Sequence, residues 1–234
     1  MTAIFWKEVK TYFYSPMAYI LIGLFMLLTS IFFLPNLLYG VGSFANGLSN
    51  MGFILLFIVP VLTMRILAED RKNGTEVLLI TSPASITSIV TGKYLAACFV
   101  FIIMTVLSFI YPIVLFAFGA TFTVDLIGAY IGFILLGMTY IAVGVFASSL
   151  TESQVVAVII GYVSLLLMWL SDSLASMVGG FASKVLGWFS LLSRYDDFTR
   201  GILGLSPVVY YLSFIAVFLF LTVRVIEKRR WSQG

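Results

Sequence analysis

The residues of this chain that could do chemistry are few, and one group lies late in the sequence. Asp196 and Asp197 form a carboxylate pair, flanked by Arg194 and Arg200. A membrane enzyme acting on lipids would need such clustered groups at one membrane face. Adjacent residues on a helix point about 100° apart, so the two aspartates do not easily share a site. The chain also has no histidine, the usual general base near neutral pH. A lipid-acting enzyme is therefore an alternative that the chemistry disfavours.

The second candidate is the dipeptide Gly92-Lys93, which could belong to a phosphate-binding loop. That motif requires a glycine five positions earlier and Ser or Thr after the lysine. Thr87 and Tyr94 occupy those positions instead. We therefore predict no ATPase site in this chain, no bound cofactor and no metal site. The small net charge of +3 gives no reason to expect a nucleic-acid partner.

The elements that must position these residues are long apolar segments. The chain is 62% hydrophobic and 10% charged, with a mean hydropathy of +1.13. Soluble domains have about a quarter charged residues, so this composition is typical of a multi-pass membrane protein. A spanning helix needs about 20 apolar residues. Six segments qualify, and they predict an all-α protein with one domain over residues 1–234. They are 17–38, 51–68, 94–118, 126–147, 155–173 and 206–226.

The orientation follows from the lysines and arginines that flank the spans, which concentrate on the cytoplasmic side of membrane proteins. With the N-terminus in the cytoplasm, ten of these residues lie inside and three outside, and six spans return the C-terminus to the cytoplasm. The outer three are Lys184, Arg194 and Arg200. The inner ten are Lys7, Lys10, Arg65, Arg71, Lys72, Lys93, Arg224, Lys228, Arg229 and Arg230.

The first connecting feature is residues 1–15, before the first span. An apolar face and a charged face predict a helix that lies in the cytoplasmic interface, and Ser15-Pro16 would turn the chain into the membrane. A plain membrane anchor is the alternative. The apolar face comprises Ile4, Phe5, Val9, Tyr12 and Phe13; Lys7, Glu8 and Lys10 lie opposite, and Trp6 falls at the interface.

Residues 69–93 form a polar connection between the second and third spans. Asn73-Gly74 can end a helix because both residues tolerate the left-handed conformation. Thr75 is placed to cap a short helix, Ser82-Pro83 to stop it, and Ser85 to cap the next one. The short helix would have an apolar face of Val77, Leu78, Leu79 and Ile80. It is either a rigid cytoplasmic contact for a partner or an interfacial helix that covers lipid headgroups, and spacing leaves both open.

Two further patterns concern the bundle itself. Residues 174–205 mix apolar and charged positions, which predicts short helices that enter the outer leaflet without crossing it; a solvated loop is the alternative. Small residues spaced four apart, Gly128 with Gly132 and Gly144 with Ser148, predict close helix packing. The predicted spans contain almost no ionisable groups. Self-powered ion-coupled carriers place such groups deep in the bundle, so energy for transport would come from outside it.

Three segments together resemble the permeases of ABC-2 type transporters. One is the pattern E-D-x-x-x-G-T-x-x-x-L-x-x-S-P followed by G-K, formed by Glu69, Asp70, Gly74, Thr75, Leu79, Ser82, Pro83, Gly92 and Lys93. "KEVKTYFYSPMAYI" near the start and "RYDDFTRGILGLSPVVYYLS" near the end are similar to the gliding-motility and nitrous-oxide-reductase-maturation branch of that family. The three matches occur in order along the chain.

The resemblance implies a permease subunit, forming the translocation path in the cell membrane together with a second permease copy, identical or related. Two separate ATPase subunits would bind ATP and Mg²⁺ beneath it, and the family's tendency is export. The interfacial helix, with Phe5, Trp6, Lys7 and Lys10, and the connection after the second span would contact the ATPases. The coupling positions carried over are Glu69, Gly74, Thr75, Glu76, Leu78, Leu79, Ser82 and Pro83. Residues 174–205 would match partly re-entrant outer helices. A subunit that transmits force without moving a substrate is the main alternative, and the cargo is not indicated.

Overall fold

The computed structural model describes residues 1–38, 45–76, 84–119, 124–178, 180–199, 201–202 and 204–232. In this part of the chain every regular element is an α-helix. The helices are α1 (Thr2–Tyr14), α2 (Met17–Leu38), α3 (Ala45–Thr63), α4 (Arg65–Lys72), α5 (Ile86–Ser108), α6 (Ile110–Ala117), α7 (Val124–Ser149), α8 (Gln154–Met177), α9 (Phe181–Phe189), α10 (Leu191–Thr199) and α11 (Leu205–Ser232).

Among the described residues, six stretches are long and apolar enough to cross a membrane, so the predicted all-α fold with six spans is confirmed. They are Met17–Pro35, Gly47–Lys72, Ile86–Ala117, Asp125–Ser149, Gln154–Met177 and Leu205–Arg229. Each overlaps one of the six predicted spans. We call the end of the bundle at which α1 lies the α1 end, and the opposite end the far end.

The predicted boundaries of the second and third spans were wrong. The second span continues through α4 to Lys72, where the prediction ended it at 68. The third begins at Ile86, eight residues before the predicted start at 94. Ser85 starts it as the predicted cap, because its hydroxyl oxygen accepts a hydrogen bond from the Ser88 N–H at 3.2 Å. Polar residues of the first turns are tolerated because their hydroxyls bond within the helix, as Thr91 does to a carbonyl one turn earlier.

A break at Met64 divides the second span into α3 and α4. Pro60, inside α3, lacks a backbone N–H and so weakens the helix just before the break. The first N–H groups of α4 would then be buried without partners. The Ser148 hydroxyl oxygen of α7 accepts from Leu67 N and Ala68 N, both at 3.1 Å, and its proton goes to Met64 O at 3.0 Å. A neighbouring helix therefore supplies the cap that the break requires.

The second and fourth spans form the centre of the bundle, and 72% of each is buried. The first and fifth spans are only 22% buried, so they lie at the periphery. Small residues allow the central contacts. A side-chain carbon added at Gly144 of α7 would overlap the hydroxyl of Thr63 in α3, and one added at Gly137 would overlap the Phe101 ring in α5. The predicted packing role of Gly144 is confirmed by this contact.

The connection between the fifth and sixth spans folds into two short helices, α9 and α10, at the far end. Phe198 of α10 is fully buried against Gly132 of α7, where an added carbon would lie 2.7 Å from the Phe198 Cβ. Gly132 is eight residues into α7, which corresponds to a depth of about 12 Å at the usual helical rise. The Tyr211 hydroxyl of α11 donates to Leu191 O at 2.7 Å and holds the other end of α10. Helix α10 is thus inserted between spans, as a partly re-entrant helix would be.

Candidate functional site

A cleft of about 180 Å³ opens at the α1 end between α1, α4 and α5. Its lining combines three cationic and three anionic side chains, an unusual density in a chain that is only 10% charged. The lining residues are Lys7, Glu8, Thr11, Tyr12, Arg65, Ile66, Glu69, Asp70, Asn73, Thr75 and Lys93. The cleft therefore joins the predicted interfacial helix to the beginning of the segment 69–93, which we call the coupling segment.

Helix α1 packs onto the bundle as well as presenting an exposed face. Val9 and Tyr12 are buried, and the Tyr12 hydroxyl donates to Leu62 O in α3 at 2.8 Å. Burial, with the Glu8 carboxylate nearby, raises the pKa of Tyr12 far above its ordinary value, so the hydroxyl stays a hydrogen-bond donor. Ile4 contacts the place where α5 has Gly92, since an added carbon there would lie 3.3 Å from it. The helix is therefore a fixed part of the α1 end.

Lys93 is the most unexpected member of this site. Sequence analysis placed it outside the third span on the cytoplasmic side, but its side chain is 2% exposed inside α5. The ammonium nitrogen lies 2.7 Å from Glu8 Oε1 of α1 and donates to Ile66 O of α4 at 2.9 Å. It also lies 2.6 Å from Asp70 Oδ2 of α4. The ammonium therefore hydrogen-bonds to α1 and to α4 through two of its three donors, and it forms an ion pair with a second residue of α4.

Asp70 connects this lysine to the beginning of the coupling segment. Its Oδ2 contact with Lys93 is an ion pair that lacks the alignment of a hydrogen bond. Its Oδ1 and its backbone carbonyl accept from the Thr75 hydroxyl at 3.0 and 3.2 Å. Thr75 was predicted to cap a following helix; here its hydroxyl donates back toward α4. Asp70 therefore holds Thr75, five residues later in the chain, against α4 and at the same time pairs with Lys93 of α5.

The chain turns between Asp70 and Thr75 at a single left-handed residue. Gly74 has φ +70°, whereas Asn73 keeps a right-handed conformation with φ −87°. The prediction that Asn73-Gly74 ends a helix is confirmed, although only the glycine adopts the left-handed conformation. A side chain at Gly74 would meet open space, so the backbone conformation and not crowding requires glycine here.

Two further ion pairs surround the turn. Glu69 accepts from Arg65 Nε at 2.8 Å within α4, and Arg65 also reaches the Ser15 hydroxyl after α1 at 3.3 Å. Arg71 lies 2.6 Å from Glu152, in the connection between the fourth and fifth spans. Besides α5, α4 thus contacts the residue that follows α1 and the connection between the fourth and fifth spans.

Glu76 connects the coupling segment to the last span. Arg229 of α11 donates to Glu76 Oε1 at 3.4 Å and also to the Ser149 backbone carbonyl at the end of α7. The side chains of Arg229 and Glu76 are 22% and 20% exposed, which limits the screening of this pair by water. The coupling segment therefore begins between ionic contacts to α5 on one side and α11 on the other.

The remaining residues predicted from sequence fall in different places. Phe5 of α1 stacks edge-on against Phe99 of α5 with ring centres 5.9 Å apart, while Trp6 is 55% exposed. Lys7 lines the cleft and Lys10 is exposed. The short helix of Val77, Leu78, Leu79 and Ile80 and the stop at Ser82-Pro83 lie outside the described residues.

The charged cluster at the far end does not assemble into a site. In the part of the chain that the structure describes, no ion pair joins Arg194 to Asp196 or Asp197. The Arg194 guanidinium instead lies 5.6 Å from the centre of the Tyr210 ring. Arg200 lies outside the described residues. Across the same described part, no group of three His, Cys, Asp or Glu residues could hold a metal ion.

Sequence reasoning missed the cluster of Glu8, Lys93 and Asp70, although a signal for it exists. Lys93 is flanked at helical spacing by apolar residues on both sides, namely Ile89, Val90, Ala96 and Ala97. A charge on such a face must be buried with a partner if the helix extends through it. The early start of α5, set by the Ser85 cap, makes that face continuous with the span.

Comparison with known families gives one result over most of the chain. A family model described as ABC-2 family transporter protein matches residues 34–223, which is 190 of the 234 residues. The match begins in α2 and ends in α11, so it includes the coupling segment and both far-end helices. No curated protein matches the chain.

Proposed function

We propose a function from the premise that this chain belongs to the ABC-2 family of transporter proteins. It is a multi-pass membrane protein of the permease type, and such permeases work with ABC ATPase subunits. We infer that it forms the translocation path of an ATP-driven exporter in the cell membrane. ATP and Mg²⁺ would bind to two separate ATPase subunits, and this chain would have no nucleotide site of its own. A second permease copy, identical or related, would complete the path.

The observation that supports this proposal is the set of ion pairs and hydrogen bonds that attach the coupling segment to the bundle. Asp70 and Thr75 attach its first residues to α5, and Glu76 attaches them to α11. ATP bound to another subunit can shift the conformation of this bundle only through contacts that differ between its states. A flexible connection would absorb the motion of an ATPase. A connection with partners on two spans can pass that motion on.

The proposed arrangement places the α1 end in the cytoplasm. Helix α1 would lie at the membrane surface and would contact lipid headgroups and the ATPase through Phe5, Trp6, Lys7 and Lys10. The coupling segment would contact the ATPase through Glu69, Gly74, Thr75, Glu76, Leu78, Leu79, Ser82 and Pro83. The segments that resemble the gliding-motility and nitrous-oxide-reductase-maturation branch favour that branch within the family. Residues 174–205 would then lie near the exit of the path.

A second candidate is a subunit that transmits force from the ATPases without moving a substrate. It uses the same ionic contacts, so the two functions differ only in whether cargo crosses the membrane. ATP-dependent flux of a co-purifying substrate into sealed vesicles would support the exporter. The lipid-acting enzyme has less support, because Arg194 and the two far-end aspartates do not form a common site.

The first experiment tests the coupling itself and needs no knowledge of the cargo. The complex is purified from native membranes through a tag on this chain and examined by mass spectrometry for an ABC ATPase. Ser190, fully buried at the start of α10, is changed to cysteine in a Cys98→Ala background as a reporter of far-end opening. We expect a membrane-impermeant maleimide to label this cysteine faster with ATP and vanadate than without nucleotide.

The control is Ser176→Cys in the same background, since Ser176 is exposed near the end of α8. Its labelling should be fast in both conditions. Absence of an ATPase from the purified complex would contradict the proposed function. The proposed function would also be contradicted if the complex hydrolysed ATP but the labelling rate of Ser190→Cys were the same with and without ATP.

A further inference from the structure

The buried ion cluster at the α1 end has a role that the family assignment does not state. We propose that Glu8, Lys93 and Asp70 form a latch that makes helix α1 and the first residues of the coupling segment move as one body. The inference rests on the proposed function, because it concerns how motion from the ATPases enters this chain. Lys93 is the positioning residue of the latch.

The first step of the argument is the position of the three charges. Glu8 is on α1, Lys93 on α5 and Asp70 on α4, so the cluster joins three different helices. The side chains of Glu8 and Asp70 are 14% and 17% exposed, and that of Lys93 is 2% exposed. At such burial, separating the pair is strongly unfavourable because it leaves charges without partners.

The second step is the number of contacts that the cluster must lose before α1 can move alone. The Lys93 ammonium contacts Glu8 at 2.7 Å, Asp70 at 2.6 Å and Ile66 O at 2.9 Å. Withdrawal of α1 would remove Glu8 from this set and leave a half-satisfied buried network. Movement of α1 together with α4 and the start of α5 keeps all three contacts. The second motion is therefore the favoured one.

The third step is the link from the cluster to the coupling segment. Asp70 uses one carboxylate oxygen for Lys93 and the other for the Thr75 hydroxyl. Thr75 follows the turn at Gly74, so it is the first residue beyond α4 and its turn that is hydrogen-bonded back to α4. If a partner displaces Thr75, Asp70 must either resist the displacement or move with it. Because Lys93 contacts both carboxylates, the same applies to Glu8. The cluster contains two carboxylates and one ammonium, so Glu8 and Asp70 share Lys93 as their cationic partner.

The remaining attachments of α1 do not replace the latch. Tyr12 holds the second half of the helix to α3 through Leu62 O. Glu8 lies one turn before Tyr12, and among the described residues it is the member of the first half with an ionic partner in another element. Without Glu8, that half is held by apolar contacts such as Ile4 against α5. Apolar contacts are non-directional and tolerate sliding.

The experiment is a double-mutant cycle of Glu8→Gln and Lys93→Met in the tagged complex that bears the Ser190→Cys reporter. Glu8→Gln keeps the shape of the side chain and leaves Lys93 paired with Asp70, so it should fold and bind the ATPases. We expect ATP hydrolysis to persist while the ATP-dependent rise in labelling falls on the order of tenfold. We expect the double variant to be no worse than Lys93→Met alone, because both changes break the same contact.

A second readout measures the shared motion directly and does not depend on Lys93→Met folding. Hydrogen exchange of α1 and of residues 69–76 is followed with and without ATP and vanadate. In the parent complex both regions should change together. In Glu8→Gln only residues 69–76 should respond. Glu227→Gln is the matched control, because Glu227 pairs with Arg224 on an exposed face of α11.

The outcomes separate the latch from the proposed function. A parent complex that shows no response to ATP contradicts the proposed function and with it the latch. A responsive parent whose Glu8→Gln variant responds equally, with α1 and residues 69–76 still changing together, overturns the latch alone. Multiplied effects in the double variant would show that Glu8 and Lys93 act independently, and would overturn it as well.

Discussion

Gly74 is the residue on which the geometry of the coupling segment depends most simply. Its φ of +70° reverses the chain between Asp70, at the end of α4, and Thr75. That reversal brings the Thr75 hydroxyl 3.0 Å from the Asp70 carboxylate. A β-branched residue is strained in this region of backbone conformation by about 1–2 kcal/mol. Relief of the strain would move Thr75 away from its partner.

We predict that Gly74→Val leaves membrane insertion intact and reduces the ATP-dependent labelling of the Ser190→Cys reporter. The strain acts on the turn itself, because no atom lies within 4 Å of an added side-chain carbon. Gly119→Val is the matched control: Gly119 also has positive φ (+92°) and open space, but it lies at the far end, after α6. Equal loss of the ATP response in the two variants would mean that general destabilisation, and not the turn, is responsible.

Sequence predicted this turn well and the neighbouring ion cluster poorly, for a physical reason. Glycine after asparagine at a helix end is a local signal, since the conformational freedom of a residue is its own property. The pairing of Lys93 with Glu8 and Asp70 is between residues up to 85 positions apart. A charge beside a predicted span is ordinarily assigned to water. The apolar residues around Lys93 in the sequence indicate that it is buried, but only the packing of α1 and α4 over α5 shows which residues pair with it.

At the scale of helices, close contact between α3 and α7 fixes the centre of the bundle. Gly144 faces Thr63, and Ser148, one turn further along α7, caps the start of α4. Both contacts require small side chains four residues apart on α7. The same face of α7 therefore packs against α3 before the break and caps α4 after it. The break and its cap are therefore parts of one arrangement.

We predict that Gly144→Ala destabilises the protein by about 1–3 kcal/mol, because overpacking a tight contact forces backbone shifts. Thr63→Ala should restore part of the loss, since the Thr63 hydroxyl is the atom nearest the added carbon while the Thr63 Cβ remains 2.9 Å away. Thermal unfolding of the purified protein measures both variants. Gly23→Ala, in an open position of α2, should leave the unfolding temperature unchanged or higher. Additive losses in Gly144→Ala with Thr63→Ala would contradict this contact.

The existence and order of the spans could be predicted from sequence because they depend on apolar length alone. Their ends could not, because ends are set by capping. The third span starts at Ser85 since that hydroxyl reaches Ser88 N, and the second continues past residue 68 since Ser148 bonds the start of α4. The first of these signals is local: Ser85 is a predicted cap, but the apolar run on which the predicted span rests starts only at residue 94. The second comes from a helix 80 residues away.

For the molecule as a whole, ionic contacts between different elements concentrate at the α1 end. In the described residues, the pairs of Lys93 with Glu8 and Asp70, of Arg71 with Glu152 and of Arg229 with Glu76 all lie there. Charges are costly inside a bilayer, so such contacts are expected near the ends of the spans more than at their centres. The far end is held by buried aromatic residues and by tyrosine hydroxyl bonds such as that of Tyr211. A force applied at the α1 end thus meets directional contacts first.

The coupling segment has two ionic routes into the bundle, and these can be tested against each other. One runs from Asp70 through Lys93 to Glu8 of α1, and the other runs from Glu76 to Arg229 of α11. The two routes share no side chain. If the segment moves both helices in parallel, the free-energy effects of interrupting the routes should add. If one route only supports the other, the combined effect should equal the larger single effect.

We predict that Glu76→Gln lowers the ATP-dependent labelling of the Ser190→Cys reporter and that Glu76→Gln with Glu8→Gln lowers it by the product of the two single factors. The reason is that Arg229 also donates to Ser149 O and so keeps its place, leaving only the segment released. Arg224→Gln serves as the control, since its side chain is 64% exposed and an exposed pair contributes little. A Glu76→Gln complex that responds to ATP as fully as the parent would remove α11 from the path of the motion. A double variant no worse than Glu8→Gln would mean that α1 alone receives it.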